Sequence, residues 1–297
     1  TGTNGGTLNI ASGITITQQN GSGGLSISNL GTNQGTLRAT SGILYINGVS
    51  SSTWTNSGTI EAAGGRVELS GSWNNSGTLA ATSSTIAFAS SFLPSSLGTL
   101  TRTSGTFEVA NGGTFNLNGS SYDLGAANSL GSVSLASGSF IQNGTLTSSN
   151  PSVTLNVPNS SQVTLSSVTL GSGLVTNVGG NSTLAATGGL TLAGGTINLN
   201  PNFYATTTLR LDGSGTQTLS GSGLILGNSG NGPSSITTGN GGTLNLASGI
   251  TITQQNGSGG LSISNLGTNQ GTLRATSGNL YINGVSSSTW TNSGTIE

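Results

Sequence analysis

The stretch from Trp54 to Phe88 contains one pattern twice, 19 residues apart. Trp54, Asn56, Gly58, Thr59, Ile60, Ala62, Val67 and Leu69 recur as Trp73, Asn75, Gly77, Thr78, Leu79, Ala81, Ile86 and Phe88. Each unit reads Asn-x-Gly-Thr, one apolar residue, then two more apolar residues nine and eleven positions after the Gly. A single residue separates those last two, so they project to the same side of an extended strand. A unit this short cannot bury an apolar face alone and has to stack on a copy of itself.

The pattern persists in degenerate form. Taking the Gly of each Gly-Thr or Gly-Ser step as a marker gives Gly35, Gly58, Gly77, Gly98, Gly113, Gly131 and Gly144, at intervals of 23, 19, 21, 15, 18 and 13. The same-face pairs that follow are Leu44 and Ile46, Val67 and Leu69, Ile86 and Phe88, Phe107 and Val109, Tyr122 and Leu124, and Val153 and Leu155. The Gly131 unit fits less well, with Phe140 followed by Gln142. Apolar residues at helical spacing are absent, and 52 Gly oppose long helices. The expected fold is all-β: a parallel β-helix (β-solenoid) of stacked coils of roughly 13–23 residues. At ~4.8 Å per coil, roughly 16 coils would make a rod on the order of 75 to 80 Å long.

A longer repeat encloses the short one. Thr7 to Glu61 reads like Thr243 to Glu297, 236 residues on, and only Ile10 against Leu246 and Ile43 against Asn279 differ. Residues 1–236 therefore read as one long tandem repeat, and 237–297 as the start of a near-identical one continuing the same rod. Between them Ser152 to Val157, Gln162 to Leu170, Thr183 to Leu199, Thr206 to Leu211 and Thr216 to Leu226 alternate as strands, with Pro151, Pro158, Pro201 and Pro233 falling between strands. Gly227 to Gly242, rich in Gly, Asn and Ser, is the candidate loop between long repeats, a flexible linker being the alternative.

Composition narrows the function classes. Charged residues are 4% of the chain, the five basic residues are all Arg, and the net charge is -1. No basic stripe exists to neutralise phosphates, which excludes nucleic acid as a partner. Cys is absent, so no disulfide or thiolate site is available. No apolar run approaches the ~20 residues of a membrane span. With no Met anywhere, the sequence reads as an interior piece of a longer, processed protein.

Catalytic chemistry finds little to use. His and Lys are absent, and Glu61 and Glu68 with Arg66 between them form the one charged cluster. Two carboxylates and an Arg suit a glycosidase or a polysaccharide lyase, but an exposed ion pair worth ~0 to 1 kcal/mol explains them more simply. Asp123 and Asp212 stand alone, without the Asp-rich loops calcium requires. The chain is expected to be no enzyme and to hold no metal or cofactor.

The residues singled out are structural. Asn33, Asn56 and Asn75, with Asn111, Asn269 and Asn292, sit two before the Gly that opens a strand. In a solenoid such amides stack in a column and hydrogen-bond along the axis. Gly58 and Gly77 open the strands, while Trp54, Trp73 and Trp290 precede the Asn by two and read as corner caps, sugar stacking being the alternative. Thr-x-Thr pairs at Thr15, Thr206, Thr216 and Thr251 invite comparison with ice-binding solenoids, yet they are scattered among coils lacking them.

Asn56 to Leu69 followed by Trp73 to Leu79 resembles the repeats of filamentous-haemagglutinin-like and autotransporter-type adhesins of bacterial surfaces. The likeness is clearest over Asn33 to Leu124 and Asn269 to Ile296. It implies a right-handed parallel β-helix, exported and displayed as a stalk or fibre, with no shared catalytic residues. The function expected is that of a structural segment of a giant extracellular fibre or cell-surface protein, self-associating end to end through tandem repeats and laterally into filament, sheath or bundle. The alternative is an adhesin stalk that binds glycans or host surfaces.

Overall fold

A computed structural model describes residues 6–202, 205–227, 232–255, 259–285 and 289–297. It is all-β, with parallel strands stacked as the coils of a β-solenoid, about 12 turns in all. One short 3-10 helix, Pro94–Ser96, is the only helix among the described residues. The coils fall into two compact units, residues 1–116 with 127–134 and residues 117–126 with 135–297.

In the first unit the coils from Thr36 to Asn116 have three strands each, and the coil before them has two, Thr15–Gln18 and Gly24–Asn33. One coil runs Thr59–Ala63, Arg66–Ser70 and Trp73–Asn75, and the next runs Thr78–Thr82, Thr85–Phe88 and Ser91–Phe92. The first strands of successive coils form a five-stranded parallel sheet, and the other two belong to a second sheet. Register places like on like: Leu37 pairs with Ile60, Ile60 with Leu79 and Leu79 with Leu100. On the second strand Leu44, Val67, Ile86 and Phe107 form an equivalent column with no exposed surface. These columns are the core, because alternation along each strand sends every second side chain inward.

The corners follow from backbone chemistry. Between first and second strands the chain needs one left-handed residue, supplied by Gly64 at φ 102° and one coil later by Ser83 at φ 53°. At the corner before the first strand the demand is space. A Cβ on Gly58 would lie 2.1 Å from the Gly35 carbonyl oxygen, and one on Gly77 equally close to that of Gly58. The stacked turns touch backbone to backbone, so only Gly fits.

The second unit uses the same principle with longer strands. Thr183–Leu199 passes through a corner without interruption, Gly188 and Gly189 taking φ 67° and 91°. Val163, Leu184, Leu209, Ile236 and Ile263 form one inward column. Ile197, Ile225, Ile252 and Leu273 form another. Thr176 extends the latter column, fully buried, with its hydroxyl unpartnered.

Several sequence expectations shift. Coils are longer than the Gly markers suggest, from 19 residues at Asn56 and Asn75 to 29 at Thr191 and Ser220, so about 12 turns replace roughly 16. Gly98 and Gly113 explain the miscount, since they open the first strand and the third strand of a single coil, Thr99–Thr103 and Thr114–Asn116. Phe140 is 39% exposed while Ile141 is buried, so the inward register there is one residue later than expected. Within the candidate loop, Ser234–Thr238 is a strand that pairs with Thr207–Leu211. Ile236 flanked by Thr and Ser suffices there because an Ile or Leu waits on either side of it in the stack. Residues 228–231 of that loop lie outside the described residues.

Candidate functional site

Asn33, Asn56 and Asn75 stand one per coil on a buried column, at 0%, 0% and 3% exposure. Asn33 Nδ2 donates to Asn56 Oδ1 at 2.6 Å, and Asn56 Nδ2 to Asn75 Oδ1 at the same distance. Asn75 ends the ladder by donating to the Leu97 carbonyl at 2.6 Å. Each amide also closes its own turn. Asn33 Oδ1 accepts the Gly35 N–H at 3.2 Å and Asn75 Oδ1 that of Gly77 at 3.1 Å. Every donor and acceptor of these buried amides is thereby used, which is the condition for a polar column inside a core. Asn269 and Asn292 repeat the contact at 2.7 Å. Asn111 does not join, being exposed on the turn before Thr114.

A second amide ladder, missed in the sequence, runs along the outside of the second unit. Asn177 Nδ2 donates to Asn156 Oδ1 at 3.1 Å and Asn198 Nδ2 to Asn177 Oδ1 at 2.9 Å. Only Asn177 has a Gly two residues on, and Gly rather than Thr follows it, so the Asn-x-Gly-Thr motif could not reveal them. Their spacing of 21 could have.

Trp54 and Trp73 are stacked one coil apart and buried, at 1% and 5% exposure, ring centroids 6.2 Å apart. Trp73 continues onto Phe88 at 5.5 Å and Phe92 at 5.9 Å, and these lead to Phe107 and Phe115. The indoles pack inside the coil corner, where neither ring face is open for a sugar to stack on. Gly58 and Gly77 lie at the close carbonyl approaches described above.

The charged cluster separates in space. Glu61 lies in the five-stranded sheet and pairs with Arg38 at 3.1 Å. Glu68 lies in the other sheet, 3.7 Å from Arg66 Nε. Arg66 reaches across the intervening coil to hold Glu108 with two hydrogen bonds, 2.7 and 3.1 Å. That hydrogen-bonded carboxylate raises the Arg66 pKa further above its ordinary value. Ala87 stands between Glu68 and Glu108 in register, and its small side chain leaves room for this bridge. Glu61 and Glu68 thus do not converge on one substrate, and Arg66 is committed to Glu108. Asp123 accepts the N–H groups of Gly125 and Ser149, each at 2.8 Å. The Ser149 bonds hold its carboxyl below the usual range. Among the described residues no three His, Cys, Asp or Glu gather in one place. No helix there is long and apolar enough to cross a membrane.

The Thr-x-Thr pairs do not align in successive coils. Thr15, Thr36, Thr59, Thr78 and Thr99 do form one unbroken column, but its companion column reads Thr17, Arg38, Glu61, Ala80, Thr101. Open cavities among the described residues include the following two. One of about 400 Å³ lies against Trp73, and one of about 280 Å³ lies against Asn245 and Thr268.

The residues of these columns define a class, the parallel β-solenoid stabilised by asparagine and aromatic ladders. Searches of protein-family models, of curated proteins and of solved structures each found no match to this chain.

Proposed function

We propose that the chain is a structural segment of a giant, repetitive extracellular fibre or cell-surface protein, of the filamentous-haemagglutinin-like kind, and not an enzyme. One observation carries the reading: Thr7 to Glu61 and Thr243 to Glu297 build the same coils with the same register. Leu8 pairs with Leu30 as Leu244 does with Leu266, and Asn33 with Asn56 as Asn269 with Asn292. A module whose opening coils seat on the closing coils of the module before it extends a solenoid without altering its surface. The near absence of charge supports side-by-side association, since self-repulsion is weak. Cryo-electron microscopy of the native material on its cell tests this. Filaments, sheaths or bundles with no differentiated end are expected. Single projections ending in a distinct tip would replace the reading with the second one, a glycan-binding adhesin stalk, which the polar cavity beside Trp73 favours.

A further inference from the structure

We infer that Asn111 and Asn240 are sites of spontaneous covalent modification, each cyclising with the glycine that follows it and opening to aspartate or isoaspartate. Asparagine is among the less durable side chains, and a glycine, lacking Cβ, gives its amide nitrogen the freest approach to the side chain before it. Asn-Gly occurs ten times in the chain, and the pairs at Asn4, Asn231 and Asn256 lie outside the described residues. The fold separates the other seven.

Five of them are held. Asn47–Gly48 and Asn283–Gly284 end strands, and a Cβ on either glycine would strike Trp54 or Trp290. Asn143 and Gly144 lie inside the strand Phe140–Thr147, Gly144 in register on Val168. After Asn118, the Gly119 N–H donates to the Asn143 carbonyl at 2.6 Å. Asn20 turns its own side chain to accept the Ser22 N–H at 3.4 Å.

Asn111 and Asn240 are open. Each sits in the middle of an exposed turn, closed by the Gly113 N–H on the Ala110 carbonyl at 2.9 Å or the Gly242 N–H on the Gly239 carbonyl at 3.0 Å. Gly112 and Gly241 are left-handed, at φ 74° and 69°, with nothing within 4 Å of where a Cβ would stand. Among the described residues no acceptor takes their N–H, and no partner holds either Asn side chain. The peptide between Asn and Gly is therefore free to rotate until its nitrogen meets the side-chain carbon, without breaking a bond between coils.

The glycine nitrogen gives up its proton and bonds to Asn Cγ, and Nδ2 leaves with a proton as ammonia. Water then opens the cyclic imide at one carbonyl or the other. Each event adds a carboxylate to a chain whose net charge is -1. It works against the side-by-side packing that low charge favours.

Peptide mapping by tandem mass spectrometry tests the inference on the full chain, held folded in mildly alkaline buffer and sampled over days. Asn111 and Asn240 should convert first, at least about tenfold faster than Asn47, Asn143 and Asn283, where a strand must open before its nitrogen is free. In guanidinium chloride all five should convert at similar rates, because the same dipeptide is then equally exposed everywhere. Equal rates in the folded chain overturn the inference, as does an absence of conversion at Asn111 and Asn240. A lead for those two that persists undiminished in denaturant also overturns it, since the fold would not be its cause. None of these outcomes bears on the microscopy by which the fibre reading is judged.

Discussion

Thr7 to Glu61 and Thr243 to Glu297 are nearly the same sequence in two surroundings. In the first copy Leu8 is 41% and Ile14 51% exposed, while their counterparts Leu244 and Ile250 are 0% and 1% exposed. The difference is a neighbour: Thr243 and Gly249 sit in register on Thr216 and Ser222, and Thr15–Gln18 is an edge strand. At the far side the relation reverses, Ile60 being fully buried and Ile296 48% exposed. The turn at Gly13, left-handed at φ 82°, loses that conformation at Gly249, but two later turns keep their chemistry between copies. Asn29 and Asn265 take φ 57° and 61°, and Gln18 and Gln254 cap the carbonyls of Gly23 and Gly259. At these turns the coil path is thus intrinsic to the sequence, whereas burial belongs to the stack.

That distinction can be broken by paired substitutions. The largest difference is expected between Trp54→Ala and Trp290→Ala. Trp54 is buried and stacked on Trp73, so truncation costs about 3–5 kcal/mol in urea unfolding. Trp290 is half-buried, with no coil beyond it among the described residues, and should cost about 1 kcal/mol. Equal losses would mean that indole packing is local to each corner. The inward Ile pair comes next. Ile250→Ala should cost about 2–4 kcal/mol and Ile14→Ala less than about 1 kcal/mol, followed by the same unfolding measurement.

Asparagine sharpens the comparison. Asn56→Ala removes a buried amide bonded to both neighbours, which leaves the Asn33 donor and the Asn75 acceptor short of a partner, at a cost of about 1–3 kcal/mol. Asn292 is exposed, and water can replace it for Asn269. Asn292→Ala should therefore stay below about 1 kcal/mol, and a cost matching that of Asn56→Ala would show that the turn bond, not the ladder, carries the energy.

What the sequence revealed follows the same division. Inward columns were legible wherever a coil carries the Asn-x-Gly-Thr corner, because the corner fixes which residues alternate inward, as from Val67 and Leu69 to Ile86 and Phe88. Legibility failed where a coil changes length. Gly113 resembles a coil opener yet serves a third strand, and Ser234–Thr238 has one apolar residue, too few to stand out without its stacking partners. The candidate site was legible only in part. The Trp and Asn columns repeat along the chain and can be found by spacing, but the cavity beside Trp73 is lined in part by Ser95 and Ser96 of a turn, Pro94–Ser96, that departs from the repeat. The reach of Arg66 to Glu108 skips a coil, and periodicity alone points to nearest neighbours.

The smallest effect is the control for all the others. Arg38 with Glu61 and Arg274 with Glu297 are the same outward ion pair in the two copies, and the Arg side chains are 44% and 48% exposed. A coil stacked above or below covers what points inward and leaves outward groups in water. Glu61→Gln and Glu297→Gln should therefore each change stability by less than about 1 kcal/mol, and by similar amounts, with any loss shrinking as salt is raised. If Glu61→Gln instead cost several times more than Glu297→Gln, outward groups would also depend on the stack. Burial of the inward columns would then no longer account by itself for how one sequence behaves differently in two places.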